Sequence, residues 1–186
     1  MNPRPTKVVT GKIRASYEHL LEPYAFNEDD EPRYSMVALI PKSDTATINK
    51  IRAAQQAAIE AGKHKFKGGK IPSSWNDTLR DGDTDDSIDL EKSPEYAGHY
   101  FMAVSSKTKP GVVDANLNPI LDSEEVYSGM YCRISMNAFT YNVKGNQGVS
   151  FGLNHVQKLA DGEFLGGRTR AEDDFDVVES DDSGLL

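Results

Sequence analysis

Residues 130–143, MYCRISMNAFTYNV, alternate between apolar side chains and polar or aromatic ones. Successive side chains of a β-strand point to opposite faces, so this spacing predicts one long strand with two different faces. The even-numbered side chains are apolar or small, which is typical of a strand face that lines a buried interior. They are Met130, Cys132, Ile134, Met136 and Ala138. This segment therefore predicts that the fold contains a β-sheet or barrel built around a long strand.

Further strands are predicted before and after this one. Residues 7–20 alternate as well. We expect Val9, Ile13, Ala15 and Tyr17 on their buried side and Thr10, Lys12, Arg14 and Ser16 on the other. The remaining strand candidates are 33–41, 99–107, an extended passage at 109–121 that Pro and Gly interrupt, and 149–159 after the turn signal KGNQG.

One helix is predicted between the second and third strands. Ser43 or Asp44 can cap its start, and Gly62 suits its end, with an apolar stripe between them formed by Ile48, Ile51, Ala58 and Ile59. The next segment, 63–98, is polar and rich in turn residues, which predicts a long irregular insertion. Five or six strands with one helix favour a mainly β fold, specifically a small closed or partly open barrel.

The last sixteen residues, AEDDFDVVESDDSGLL, carry seven carboxylates and no Lys or Arg. They account for most of the net charge of −8, since residues 1–170 hold 22 acidic and 21 basic residues, a net charge of −1. Such a segment cannot bury enough apolar surface to fold alone. We therefore predict a folded domain over 1–170, with the insertion at 63–98, and a disordered acidic tail over 171–186.

The odd-numbered face of the long strand combines aromatic rings with a guanidinium, an amide and a hydroxyl: Tyr131, Arg133, Ser135, Asn137, Phe139 and Tyr141. Single-stranded nucleic acid is bound by such a combination, because bases stack on aromatic rings and Arg or Lys neutralises phosphates. Further cations are expected nearby at Lys12, Arg14, Lys107 and Lys109. The alternative is that Phe139 and Tyr141 pack under the insertion or against a second subunit.

Other constellations do not form a catalytic or metal site. The run from Asp81 begins like a calcium loop, but Asp86 and Lys92 stand where that loop requires Gly and Glu. The four histidines lack metal-ligand spacing, and Cys132 lies on the apolar face, as expected for an inert core thiol. No apolar run is long enough to span a membrane.

Trp75 is either a flap that stacks on bases or the anchor of the insertion. We expect no cofactor.

Three segments carry a resemblance to a known family: VTGKIRASYEHLLEP, KPGVVDANLNPILD and VYSGMYCRISMNAFTYNVKGNQGVSFGLNHVQKLADGE. They resemble the single-stranded DNA-binding proteins of tailed phages, a family once catalogued as a domain of unknown function. The resemblance covers most of residues 7–165, and its most specific part is residues 148–163. It implies an OB-fold-like five-stranded barrel, binding of single-stranded DNA without strong sequence preference, and a role in phage DNA replication or recombination in the cytoplasm of the infected bacterial host.

The acidic tail also resembles an arrangement found in several lineages of single-stranded DNA-binding proteins. Carboxylates tethered near a basic groove compete with phosphates for that groove at a high effective concentration. Release of the tail by DNA would then free Phe175, Leu185 and Leu186 to dock on phage or host replication and recombination proteins. The chain lacks the Pro-Phe terminus of the bacterial tails. A tail that only keeps the protein soluble is the alternative.

The leading hypothesis is thus a non-catalytic protein that coats and protects single-stranded DNA, with a homodimer compatible with the sequence. The alternative from another class is a Mg²⁺-dependent phage nuclease or recombination enzyme that uses clustered carboxylates. A third hypothesis, an acidic DNA mimic, is disfavoured by the near-neutral charge of residues 1–170.

Overall fold

The computed structural model of the chain describes residues 5–166 and 171–178. Most of the regular structure is β. The strands, in chain order, are β1 (Lys7–Val9), β2 (Ile13–Tyr24), β3 (Arg33–Pro41), β4 (Asn76–Asp77), β5 (Arg80–Asp81), β6 (His99–Ser106), β7 (Gly111–Val113), β8 (Tyr131–Val143) and β9 (Asn146–Ala160). The helices are α1 (Thr45–Gly62) and the one-turn α2 (Ala171–Asp174).

Five strands pair in succession and close into a ring, in the order β8, β2, β3, β6, β9 and back to β8. All of these pairs are antiparallel except β6 with β9, which run parallel where Ser105 lies opposite Gly152. The short strands β4 and β7 add to β9, and β1 adds to β8. The predicted mainly β, OB-fold-like arrangement is confirmed, with its long helix after the second predicted strand.

The interior of the ring is filled by the even-numbered row of β8, as predicted. Met130, Cys132, Ile134 and Met136 are at most 1% exposed. Helix α1 packs against β8, and Ile51 and Ile59 point into the core. Its first turn is fixed by the predicted cap, since the Asp44 carboxylate accepts a hydrogen bond from the Thr47 backbone N–H at 3.1 Å. Burial of each large apolar side chain contributes about 1.5–3 kcal/mol to folding.

The alternation predicted for residues 7–20 is wrong at both ends. The segment forms two strands, and Val8 rather than Val9 is buried, at 1% against 42% exposed. Tyr17, expected in the core, is 60% exposed. The cause is a bulge in β2, where the register with β3 shifts between Ser16 and His19 and Tyr17 adopts a φ of 46°. An extra residue in one strand reverses which face the following side chains occupy. Thr10 and Ser16, expected on the polar side, are both 3% exposed.

The insertion at 63–98 consists mostly of turns, but it is tied to the ring at several points. Strand β4 pairs with β9 and β5 with β6, and Trp75 packs against the core, as expected for an anchor. Lys42 forms ion pairs with Asp81 at 2.6 Å and Asp83 at 2.7 Å. A bidentate pair with Arg80 and a hydrogen bond from Ser87 lower the pKa of Asp85 to about 2.

Candidate nucleic-acid interface

The odd-numbered row of β8 lies on the outside of the ring, as predicted. Phe139 is 45% exposed and Arg133 is exposed, while Tyr131, Asn137 and Tyr141 are half-buried. Their exposure follows from β-strand geometry, because the apolar residues between them are held in the core. The row therefore offers three aromatic rings and one guanidinium to solvent along a single strand.

At the Tyr131 end of the row, two cationic side chains, Lys12 and Arg14, lie close to the Tyr131 ring. The Lys12 ammonium lies 4.7 Å from the centre of the Tyr131 ring, and the Arg14 guanidinium 5.4 Å from it. Arg14 also donates hydrogen bonds to the backbone carbonyls of Gly129, at 3.1 Å, and Glu163, at 2.7 Å. A guanidinium has five N–H donors, so Arg14 is held in place and keeps donors for a phosphate.

The middle of the row is a polar patch shared with β9. The Arg133 Nε donates to the Gln157 side-chain oxygen, and Asn154 donates to the Asn137 side-chain oxygen at 2.6 Å. His155 Nδ1 accepts the Gly111 backbone N–H at 3.0 Å. In the neutral ring the proton is then on Nε2. Arg133, His155 and Gln157 line a shallow groove of about 150 Å³. These groups suit contacts with phosphates and base edges.

The far end of the row holds Phe139 and Tyr141 beside very small residues of β9. Phe139 lies opposite Ser150, and Tyr141 opposite Gly148. A Cβ built on Gly152 would be 3.9 Å from the Phe139 ring, so an open surface adjoins this ring. Tyr141 does contact the insertion, because its hydroxyl accepts a hydrogen bond from the Asn76 side-chain amide at 3.5 Å. Phe139 is therefore the more accessible of the two aromatic rings.

Lys107 and Lys109 lie apart from the row, on the connection between β6 and β7. Those strands pair with β9 at Gly152 and His155, so the two lysines border the outer face from the β9 side. Lys107 forms an exposed ion pair with Glu31 at 3.2 Å. An exposed pair of this kind is weak, at about 0–1 kcal/mol, and a phosphate can replace the carboxylate.

A second aromatic cluster was missed by the sequence reasoning. His19 and Tyr24 stack with ring centres 4.4 Å apart, and Phe26 meets Tyr24 edge to face at 5.0 Å. Tyr17, Tyr24 and Phe26 are 60%, 46% and 67% exposed. They line a groove of about 430 Å³ with Arg33 and small side chains from β3, β6 and β9: Ser35, Ala103, Ser105 and Ser150. Because Ser150 is also the partner of Phe139, the groove continues the row of β8.

The other predicted site residues lie elsewhere. Phe175 follows α2 and is 76% exposed, whereas Leu185 and Leu186 lie outside the described residues. Burial raises the pKa of the Cys132 thiol to about 12, in keeping with an inert core thiol. Among the described residues, no group of three or more His, Cys, Asp or Glu side chains is placed to hold a metal ion. The described helices include none that is both long and apolar enough to cross a bilayer.

A five-stranded ring with accessible aromatic and cationic side chains on its outside defines the class of OB-fold proteins that bind single-stranded nucleic acid. The family model described as "Enterobacter phage Enc34, ssDNA-binding protein" matches residues 6–185, so the chain belongs to this phage family. The family resemblance inferred from the sequence is confirmed.

Individual relatives agree with this assignment. The putative protein p50 of Acyrthosiphon pisum secondary endosymbiont phage 1 is 29% identical over 180 residues, which are 91% of this chain and 92% of the relative. The single-stranded DNA-binding protein of bacteriophage Enc34 in complex with ssDNA is similar in structure, with a TM-score of 0.71 and 25% identity over 87% of this chain and 90% of that one. Gp2.5 of bacteriophage T7 shares the fold, with a TM-score of 0.61 and 14% identity over 97% of both chains.

Proposed function

We propose that this protein binds single-stranded DNA without catalysis and with little sequence preference. It coats and protects the strand during phage DNA replication or recombination, in the cytoplasm of the infected bacterial host. The observation that carries the proposal is the accessible row on β8, in which Tyr131, Arg133 and Phe139 stand on the outer face of a strand whose other face is the core. Family membership supports the same ligand.

The chemistry of the row fits an extended strand of DNA. Every base has a flat face that can stack on a Tyr or Phe ring, at about 1–3 kcal/mol for each base. Tyr131 and Phe139 are eight positions apart on β8, which corresponds to about 26 Å at about 3.3 Å per residue. A path of this length agrees with the roughly 4–16 nucleotides that an OB-fold covers. Because stacking does not depend on base identity, we expect weak sequence preference.

The aromatic groove beside Phe139 extends this path onto β3 and β6. OB-folds bind oligonucleotides on the face of their second and third strands, and β3 and β6 occupy those positions in the ring. Tyr17, Tyr24 and Phe26 supply ring faces there, and Arg33 supplies a cation. We include these four residues in the proposed site, together with the residues predicted from β8.

The tail is proposed to compete with DNA for this surface. Leu165 is held by its backbone N–H, which donates to the Ser128 carbonyl at 2.9 Å, and Gly166 lies in a groove that Arg14 and Tyr17 also line. The chain thus leaves the domain beside two residues of the proposed site. Seven tethered carboxylates have a high effective concentration there. Docking of a replication or recombination partner through Phe175, Leu185 and Leu186 is part of the same proposal.

The competing hypothesis of a Mg²⁺-dependent nuclease has less support. Asp81 and Asp83 form ion pairs with Lys42, which fasten the insertion to the ring, and Asp85 pairs with Arg80 within the insertion. A cluster that binds catalytic metal ions needs carboxylates free to face the ions. Incubation of a labelled single strand with the protein and Mg²⁺ separates the two hypotheses. Intact, shifted DNA is expected, and Mg²⁺-dependent cleavage would refute the proposal.

The binding site itself is tested with variants of Phe139. We expect Phe139→Ala to weaken binding of a fluorescent oligonucleotide by about 1–3 kcal/mol, a factor of about 5 to 150 in Kd. Phe139→Leu is the matched control, since it keeps an apolar side chain but lacks a ring face for stacking. If Phe139→Leu binds as tightly as the unaltered protein, the ring does not stack on a base. Thermal melting of both variants checks that the fold is unchanged.

A further inference from the structure

The two longest strands, β8 and β9, form an antiparallel ribbon whose ends differ in charge. One end is near Tyr131 and Ala160, which pair with each other, and the other is the hairpin turn at Lys144. From Tyr131 to Asn142 the ribbon spans about 36 Å at about 3.3 Å per residue. Each end combines exposed apolar side chains with charges of a single predominant sign.

The acidic end consists of the connection after β7 and the end of β9. Leu117 and Leu121 are 68% and 93% exposed, values that are high for leucine side chains in a folded domain. Lys158, itself 8% exposed, bridges Glu125 and Asp161 at 2.7 Å each. The acidic end is defined by Asp114, Leu117, Leu121, Asp122, Glu124, Glu125 and Asp161. Two cations, Lys12 and Arg14, also lie near Tyr131. They approach from the β2 side of β8, on the other side of this strand from the acidic end.

The basic end is formed by the start of the insertion and the β8–β9 turn. Lys65 donates to the Thr140 carbonyl at 2.9 Å, and Asn142 donates to the Lys65 carbonyl at 3.0 Å, so the insertion is fixed against this end of β8. Val143 and Ile71 are 63% and 45% exposed. The basic end is defined by Lys63, Lys65, Lys67, Lys70, Ile71, Val143 and Lys144. Glu60 lies 3.8 Å from Lys63 and offsets the charge of this one of the five lysines at the basic end.

We propose that the acidic end of one copy of this protein docks on the basic end of a second copy, in a head-to-tail arrangement. Opposite charges surround exposed apolar side chains on the two surfaces, so each surface complements the other. A symmetric contact of either end with itself would place like charges opposite each other. Because the two surfaces differ, the contact is heterologous and each copy keeps one free end for the next.

This arrangement rests on the proposed function and adds cooperativity to it. The row from Tyr131 to Phe139 runs between the two ends on β8. Copies joined end to end would therefore align their rows along one DNA strand. A bound copy would favour the binding of a neighbour, whereas a single copy on a short oligonucleotide gains nothing from the contact.

A charge-swap experiment tests the contact. Glu124→Lys alters the acidic end, and Lys67→Glu alters the basic end; the two side chains are exposed and stand outside the proposed DNA site. Each variant alone should lose about three- to tenfold in cooperativity on a long single strand at low salt. An equimolar mixture should recover cooperativity, because every acidic end can then meet a basic one in alternating copies. Cooperativity that neither variant lowers, or that the mixture fails to restore, would overturn the proposal.

A short oligonucleotide that accommodates one copy separates this inference from DNA binding itself. Glu124→Lys should bind the short oligonucleotide as tightly as the unaltered protein or more tightly, while it loses cooperativity on the long strand. If Glu124→Lys weakened binding to the short oligonucleotide as much as to the long strand, the substitution would act on DNA affinity, and the end-to-end contact would be contradicted. Deletion of 171–186 should preserve cooperativity. If the deletion abolishes it instead, the tail is the occupant of the basic end and the proposal is wrong.

Cross-linking without DNA tests the contact even if the proposed function fails. Leu121→Cys protein mixed with Ile71→Cys protein should give a heterodimer with a short bis-maleimide at low salt. Neither variant alone should cross-link, because in a head-to-tail contact two acidic ends never meet. The native Cys132 is buried and contributes little background. Cross-linking of Leu121→Cys with itself, or none in the mixture, would overturn the proposal.

Discussion

Gly152 permits a test of the proposed DNA surface that leaves every aromatic ring and cation in place. It lies on the outer face of β9, opposite Asn137 and beside Ser105 of β6. A Cβ at this position would be 3.9 Å from the Phe139 ring and 4.0 Å from the nearest backbone carbonyls, which is ordinary contact. The backbone therefore tolerates a side chain here. In Gly152→Leu, the isobutyl group would cover the ring face on which a base is proposed to stack.

The expected magnitude follows from the stacking energy. If one base is displaced from Phe139, binding weakens by about 1–3 kcal/mol, so Kd rises by a factor of about 5 to 150. Stability should be unchanged or slightly higher, because glycine within a strand is destabilising relative to alanine by about 0.5–1 kcal/mol. Gly152→Leu is thus predicted to lose affinity for DNA without losing stability.

The assay is fluorescence anisotropy with a labelled oligonucleotide, together with thermal melting of each variant. Gly152→Ala is the matched control, since a single methyl group at contact distance leaves most of the ring face open. We expect little change for Gly152→Ala and a clear loss for Gly152→Leu. Equal binding by Gly152→Leu and the unaltered protein, with both folded, would refute the placement of a base beside Phe139.

Three other predictions concern charge, the tail and pH. Arg133→Ala should weaken binding and reduce the slope of log affinity against log salt by about 0.7, and an unchanged slope would contradict a phosphate contact at Arg133. Deletion of 171–186 should tighten binding most at low salt and leave the melting temperature nearly unchanged, and equal affinity at two salt concentrations would reduce the tail to a solubility device. The pKa of Asp85 is lowered from 3.8 to about 2, so its contribution to stability is present above about pH 4 and is lost as the pH falls towards 2. Melting curves should show a smaller acid-induced loss for Asp85→Asn, and an identical loss would contradict this origin.

Much of the fold could be predicted because regular strands have a fixed side-chain period. The alternation of β8 identified both its buried and its exposed face, and Asp44 and Gly62 marked the ends of α1. The pattern was less informative where the backbone departs from that period. The bulge at Tyr17 moves the side chains that follow it in β2 to the opposite face. No local residue pattern predicted a positive φ at this tyrosine.

The candidate site was only partly predictable, for the same reason. The row on β8 followed from its own sequence, but the second aromatic cluster depends on the bulge and on the pairing of β2 with β3. Tyr24 and Phe26 are close together in the sequence, and this aromatic spacing was the available signal. Alternation alone could not show that Ser150 joins this groove to Phe139, because that contact depends on β9 lying between β8 and β6.

The proposed binding of single-stranded DNA is tested by the salt dependence of the protein's affinity for a single-stranded oligonucleotide. The proposed surface offers five cations from the sequence prediction: Lys12, Arg14, Lys107, Lys109 and Arg133. Each phosphate contact contributes about 0.7 to the slope of log affinity against log salt for a single strand, so three to five contacts predict a slope of about −2 to −3.5. We expect this slope and weaker binding to duplex of the same sequence. Affinity that does not change with salt, or equal affinity for duplex, would contradict the proposed function.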